Sequence, residues 1–140
     1  MTWKKKNNRK HFVYPDVTVS CNPEDLPLDI TLVKFPRLVV EVLSESTERR
    51  DRGIKFKAYQ NCPTVQEIVL VNQFFPLVEV WQRDQEQPDN PDTWQCRIYR
   101  VDQPVKLASL GLQLEMSEIY RNINFELSED DEEDVEQAEE

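Results

Sequence analysis

Glycine is scarce in this chain of 140 residues, which contains only Gly53 and Gly111. The GxxxxGK(S/T) loops that bind phosphate and the GxGxxG turns that bind dinucleotides need several glycines close together, and so does the GxSxG elbow of serine hydrolases. Two glycines this far apart cannot build any of these motifs. The sequence therefore excludes these nucleotide-binding loops and this class of serine hydrolase.

Histidine and cysteine are also few, with one histidine, His11, and three dispersed cysteines, Cys21, Cys62 and Cys96. This set cannot build a Cys/His zinc site or a paired disulfide framework, and it favours reduced thiols in a cytosolic protein. No apolar run approaches the roughly 18 residues of a membrane-spanning helix, and polar residues follow Lys4–Lys6, where a signal peptide would be hydrophobic. We therefore expect a soluble, cytoplasmic protein without a membrane segment.

Charge is unevenly distributed along the chain. The sequence has 27 Asp and Glu against 17 Lys and Arg, but ten of the acids lie in residues 126–140, so residues 1–125 carry 17 charges of each sign. The first ten residues contain five basic side chains and little that could be buried. These shifts predict a basic arm over residues 1–10, a globular domain over 11–125 and a disordered acidic tail over 126–140.

Hydrophobic patterning predicts an α/β fold, a mixed or antiparallel sheet with a helix inserted between its strands. Apolar and polar residues alternate over 12–21, whereas LVVEVL at Leu38–Leu43 is typical of a strand buried on both faces. Hydroxyl side chains before Glu48–Gln60 can cap a helix there. The remaining predicted elements are strands at Glu67–Asn72, Leu77–Arg83, Trp94–Val101 and Val105–Leu112 and a short helix at Met116–Asn122.

Glu41 is unusual because it is a carboxylate inside a predicted buried strand. Burial of a charge is unfavourable unless the charge has an ionic partner, a metal ion or hydrogen bonds. Two interpretations stay open: a structural ion pair with a lysine or arginine, or a functional site that uses the carboxylate. If neighbouring elements bring Asp16 and Lys55 to the same end of the sheet, two carboxylates and an ammonium converge. Such a group is typical of Mg2+-assisted phosphodiester hydrolysis.

Four stretches of the sequence resemble a known protein family. They are YPDVTVSC at Tyr14–Cys21, LVVEVLSESTERRDRGIKFKAYQN at Leu38–Asn61, EIVLVNQ at Glu67–Gln73 and VKLASLGLQLEMSEIY at Val105–Tyr120. The ordered segments PD, EVLSxST and DRxxKxxxY are similar to those of the Uma-two family of restriction endonucleases, whose members resemble the PD-(D/E)xK nucleases. The resemblance implies a restriction-endonuclease-like α/β fold, DNA as the substrate and a site for Mg2+ or Mn2+.

The resemblance also implies roles for individual residues. Asp16 matches the aspartate of the PD segment and Glu41 the glutamate of the EVLS segment, both as metal ligands. The superfamily places a lysine two residues after that glutamate, but Leu43 stands there, and Lys55 is the substitute that the family pattern suggests. That lysine would position the attacking water. Candidates for contact with these three residues, rather than with the metal, are Asp51, Tyr59 and Gln66.

The start of the chain departs from the family pattern. Family members usually carry an N-terminal helix and a hairpin before the PD segment, so we expect an N-terminally truncated version of the fold. Two functions are therefore compared: a Mg2+-dependent DNA endonuclease, and a catalytically inactive remnant or protein-interaction module. We also expect a homo-oligomer that forms through exposed sheet edges.

Overall fold

A five-stranded sheet forms the centre of the fold in this computed structural model. The structure describes residues 2–4, 10–29, 32–45, 49, 51–87, 89–90 and 92–125. The strands are β1 (Thr2–Lys4), β2 (Lys10–Phe12), β3 (Val17–Val19), β4 (Leu38–Leu43), β5 (Glu67–Asn72), β6 (Leu77–Arg83), β7 (Trp94–Arg100), β8 (Val105–Leu107) and β9 (Leu112–Leu114). The helices are α1 (Phe56–Gln60) and α2 (Met116–Ile119), with 3-10 turns at Pro23–Asp25 and Ala108–Leu110.

The strand order of the central sheet is β3-β4-β5-β6-β7, and its pairing is mixed. Strands β4 and β5 are parallel, whereas the other three neighbouring pairs are antiparallel. Parallel neighbours need a crossover connection, and helix α1 lies in the segment between β4 and β5. This arrangement confirms the predicted mixed sheet with a helix after the Glu41 strand.

The helix after β4 differs from the prediction in its form. We expected one continuous helix over Glu48–Gln60, but a π-helical turn at Asp51–Lys55 precedes the α-helical residues Phe56–Gln60. Gly53 lies inside that turn, where its backbone freedom disfavours a regular α-helix. Single π-helical turns occur often at functional sites. Lys55 is the last residue of this π-helical turn.

The two faces of the central sheet are buried against different elements. Helix α1 covers one face, where Ala58 and Tyr59 join a core that includes Val39 and Leu70. The opposite face contacts α2 and the β8–β9 hairpin, and its buried residues are Leu38, Val69, Val78, Val80, Val105, Leu107 and Met116. Because side chains alternate along a strand, β4 and β5 contribute apolar residues to both cores.

Three predicted segments at the edges of the domain have different bounds in the structure. The strand expected over residues 12–21 is limited to Val17–Val19. The strand expected over Val105–Leu112 is two strands, β8 and β9, because the chain reverses at Gly111, whose φ of 61° is accessible to glycine without strain. The helix expected over Met116–Asn122 ends at Ile119, close to Asn122, which also has a positive φ of 63°.

The expected basic arm and acidic tail are described only in part. Within residues 1–10, Thr2–Lys4 forms strand β1, which pairs with β2. The predicted disordered tail at residues 126–140 lies outside the described residues. In the part of the chain that the structure describes, no helix combines the length and apolarity needed to cross a membrane.

Tyr120 connects the end of the fold to the start of β6 through its hydroxyl group. The hydroxyl lies 2.7 Å from the carbonyl oxygen of Asn72, to which it donates, and accepts a hydrogen bond from the Leu77 amide at 3.3 Å. A Tyr120→Phe change removes these bonds and leaves half-buried backbone groups unpaired, so we expect a loss of about 1–2 kcal/mol in the free energy of unfolding. Urea denaturation measures it, with Tyr14→Phe as a control because Tyr14 is 79% exposed. An equal loss in both variants would contradict this role.

Candidate active site

The register between β3 and β4 places Asp16 next to Glu41. These strands are antiparallel with Val17 opposite Val40, so Asp16, the residue before β3, comes next to Glu41. Opposite residues of neighbouring strands project to the same face of a sheet. The exposed carboxylate of Asp16 accepts a hydrogen bond from the amide of Val42 at 2.7 Å. Val42 follows Glu41 in β4, so this bond holds the Asp16 carboxylate beside the backbone next to Glu41. The structure therefore brings the two predicted carboxylates to one end of β4.

The carboxylate of Glu41 is almost completely buried, with only 1% of the residue exposed. The ammonium Nζ of Lys55 lies 2.7 Å from Glu41 Oε1, and the hydroxyl of Tyr59 donates a hydrogen bond to the same oxygen. Both donors come from the crossover between β4 and β5, four residues apart, which places them on one side of a helix. They compensate the burial of the Glu41 charge, which would otherwise be strongly unfavourable.

Lys55 also reaches the segment that carries Asp16. Its Nζ lies 3.4 Å from the backbone carbonyl oxygen of Tyr14, two residues before Asp16. The Lys55 side chain is 15% exposed, so it is largely shielded from bulk solvent but still partly accessible to it. One ammonium group therefore lies between the glutamate of β4 and the chain that leads to the aspartate. The described contacts thus bring Lys55 to Glu41 and to the segment that precedes Asp16.

The other residues named from the sequence differ in their positions. Leu43, which stands where the superfamily usually has a lysine, is 4% exposed and packs in the core. Gln66 precedes β5, whose first residue is opposite Leu38, so Gln66 lies at the far end of the strands from Glu41. Its proposed contact with the site is therefore wrong. The side chain of Asp51 lies outside the described residues.

An ion pair between Arg52 and Glu79 lies on the same face of the sheet and was not predicted. Glu79 is in one cross-strand row with Glu41, through Leu70, and the guanidinium of Arg52 donates to both of its carboxylate oxygens at 2.9 Å. The sequence signal was a charged residue, Glu79, between the apolar residues Val78 and Val80 of β6. Its partner, 27 residues earlier in the chain, could not be identified without the fold.

Cys96 lies near this ion pair on the neighbouring strand β7. Although residue Cys96 is exposed, partial desolvation of its thiol raises the pKa, the charge of Glu79 raises it further, and the charge of Arg52 opposes both effects. A thiol whose pKa is raised stays protonated at neutral pH and is a weak nucleophile.

The donor set at the end of β4 fits a hard divalent cation. Mg2+ prefers oxygen ligands and commonly uses one or two protein carboxylates, while water and substrate phosphate complete its coordination. Asp16 and Glu41 supply that number of carboxylates from adjacent strands. Among the described residues, no group of three or more His, Cys, Asp or Glu side chains is placed to hold a metal ion. Two carboxylates would leave the rest of the coordination of a cation to water and substrate.

The candidate site lies towards one end of strand β4. A cavity of about 650 Å3 lies elsewhere, lined by residues such as Arg37, Gln66 and Ser109 at the start of the parallel strands.

A family model described as "Putative restriction endonuclease", Uma2, matches residues 1–117. The chain belongs to the Uma2 family. This confirms the resemblance to the Uma-two family, and the mixed sheet with its short helices agrees with the restriction-endonuclease-like fold.

The Uma2 chain also matches two proteins of Synechocystis sp. strain PCC 6803, both named as uncharacterized. It is 35% identical to protein slr1290 over 118 residues, which cover 84% of this chain and 59% of slr1290. It is 37% identical to protein sll1609 over 73 residues, which cover 51% of this chain and 41% of sll1609. The chain thus spans less than two thirds of the length of either relative. Their names assign no activity that could be transferred to it.

Proposed function

We propose that this Uma2 chain is a Mg2+-dependent DNA endonuclease that hydrolyses phosphodiester bonds. The observation that carries the proposal is the meeting of Lys55 with Glu41 at 2.7 Å, beside the Asp16 carboxylate fixed to the Val42 amide. These are the three residues that the family pattern selects, and they come from three separate segments. A random surface cluster would not be expected to combine that pattern with a fully buried carboxylate.

Each residue has a distinct part in this mechanism. Asp16 and Glu41 would hold Mg2+ or Mn2+, which supplies Lewis-acid polarisation of the phosphate and lowers the pKa of bound water. Asp16 is exposed and so is accessible to solvent and to a phosphate group. Lys55 contributes a positive charge beside the carboxylates, where it orients the attacking water and offsets the negative charge that develops on the phosphate.

Basic residues around the crossover support DNA as the polymer. Arg49 and Lys57 are exposed in the segment that carries Lys55, close in sequence to the candidate site. Basic side chains of this kind bind phosphates without regard to sequence and hold the backbone in position. Cleavage of DNA should therefore weaken as the salt concentration rises, because counterions compete for the same phosphates.

The test is the cleavage of supercoiled plasmid DNA with Mg2+ or Mn2+. Asp16→Asn and Glu41→Gln remove negative charge with little change of shape, and each should reduce the rate more than about tenfold, since even indirect disturbance of metal ligands has effects of that size. Asp29→Asn is the matched control because Asp29 is an exposed aspartate in a loop. Equal cleavage by wild type and by the Asp16 and Glu41 variants would identify a contaminating nuclease and reject the proposal.

A second candidate function is a non-catalytic subunit that associates through its sheet edges. Strand β7 ends the central sheet, and its consecutive residues Gln95 to Ile98 are all exposed. An exposed strand edge can pair with another chain. If no metal supports cleavage by the purified wild type and sedimentation shows a homo-oligomer, this candidate replaces the endonuclease.

A further inference from the structure

We infer that Tyr59 is a positioning residue that fixes the orientation of Glu41 for the metal ion. The inference rests on the proposed function, because it concerns the metal affinity of that site. It assigns to Tyr59 more than the packing role that a buried aromatic residue would have by itself. The observation behind it is the direction of the Tyr59 hydroxyl, which donates to Glu41 Oε1.

Two donors on one oxygen restrict the rotation of the Glu41 carboxylate. Tyr59 and Lys55 both approach Oε1, so rotation about the last side-chain torsion would weaken both contacts together. The direction of the whole carboxylate is then fixed before a cation arrives. A ligand held in its binding orientation loses less conformational entropy when it binds.

Tyr59 is the more rigid of the two donors. It is fully buried, whereas the Lys55 side chain is 15% exposed and its ammonium also contacts the Tyr14 carbonyl. A tyrosine has few rotatable bonds and its ring is held by the surrounding core, which contains Val39, Val65 and Leu70. Lys55 can therefore change its contacts during a reaction while Tyr59 keeps Glu41 in place.

Tyr59 links the orientation of the Glu41 carboxylate to the packing of the core. Its ring belongs to the apolar cluster between α1 and the sheet, and its hydroxyl lies where that cluster meets the Glu41 carboxylate. Hydrogen-bond partners of metal ligands typically change metal affinity or activity by about 10- to 100-fold when they are removed. We expect an effect at the lower end of that range, because Lys55 still contacts Glu41 after the change.

The experiment measures Mn2+ binding to the full chain without DNA, by isothermal titration calorimetry. Tyr59→Phe should raise the dissociation constant about tenfold. Tyr120→Phe is the matched control: it also deletes a hydroxyl that bonds within the fold, but that hydroxyl contacts backbone groups of Asn72 and Leu77. It should lower stability and leave the dissociation constant unchanged. This separates positioning from a general loss of stability.

The outcomes distinguish this inference from the proposed function. If wild type binds Mn2+ and Tyr59→Phe binds it with the same affinity, the positioning role is rejected and the endonuclease proposal stands. If wild type itself binds no Mn2+, the metal site fails as a whole. Should Tyr59→Phe not fold by circular dichroism, Tyr59→Met also removes the hydroxyl and fills the space flexibly. Weaker binding by the variant that folds supports the role, and unchanged binding overturns it.

Discussion

Replacement of Lys55 by methionine should lower the free energy of unfolding by about 3 kcal/mol, since breaking a buried ion pair leaves the other charge without compensation. The charge left behind is that of Glu41, which is 1% exposed, and its ammonium partner lies 2.7 Å away. Tyr59 would still donate to the carboxylate but cannot neutralise it. Urea denaturation at neutral pH, with an unchanged dependence on denaturant concentration, measures the loss.

Two further variants give this experiment its controls. Lys57→Met removes an exposed lysine from α1, two residues after Lys55, and should leave stability nearly unchanged. The double variant Glu41→Leu, Lys55→Met replaces both charges by apolar groups and should recover most of the lost stability, because a buried ion pair and an apolar pair are often similar in energy. A Lys55→Met protein as stable as Lys57→Met would contradict the importance of the buried pair.

The double variant also separates the two interpretations of Glu41. A structural ion pair alone predicts that the stabilised double variant keeps every activity of wild type. The proposed endonuclease predicts a folded protein without cleavage, because Glu41 is a metal ligand and Lys55 lies beside it. The contact between Lys55 and Glu41 serves stability in either case, so stability measurements cannot replace the cleavage assay.

The strands of the sheet centre were predictable to the residue. Strands β4, β5 and β6 have the predicted bounds because each is a short run of strongly β-forming apolar residues between polar or proline-containing segments. Strand β7 ends at Arg100, one residue before the prediction, where a turn through Asp102 begins with a positive φ of 63°. Local patterning was sufficient where the strand was buried on both faces.

The edges of the fold were less predictable because local signals there are weak. Strand β3 has three residues, and its pairing with β4 ends where the carboxylate of Asp16 takes the Val42 amide. The reversal between β8 and β9 depends on one glycine in a stretch of apolar residues, which reads as a continuous strand. In both places a single tertiary or turn contact decided the bounds.

At the candidate site, too, local sequence patterns predicted some features and tertiary contacts decided the others. Glu41 was identifiable because a charge inside an apolar run needs a partner, and the family resemblance selected Lys55 as a residue near it. The family pattern also named Tyr59 as a candidate for contact with the site, but its residue type and its burial indicate core packing equally well, so the direction of its hydroxyl required the structure. Contacts between residues distant in sequence, such as Arg52 with Glu79, have no local signal at all.

Arg83 is the clearest example of such a contact, and its removal should be among the most destabilising changes in the chain. Its guanidinium donates to the carbonyl oxygens of Gln60 at 3.1 Å, Cys62 at 3.2 Å and Val65 at 3.0 Å, and it lies 4.4 Å from the centre of the Trp94 ring. Burial lowers the pKa of Arg83, while the charge of Asp92 opposes that effect. These bonds connect β6 to the end of α1 and to the segment that leads into β5.

The change Arg83→Ala should therefore lower the free energy of unfolding by about 3 kcal/mol, because it removes three hydrogen bonds from a charged donor to carbonyl groups. Arg83→Lys keeps the charge but lacks the planar fork, so it should restore only part of the loss. Arg97→Ala, at an exposed position on β7, is the control and should change stability little.

Since α1 carries Tyr59 and follows the turn that carries Lys55, we expect weaker Mn2+ binding by Arg83→Ala even where it is fully folded. Equal Mn2+ affinity in wild type and Arg83→Ala would mean that the end of α1 does not control the position of the site.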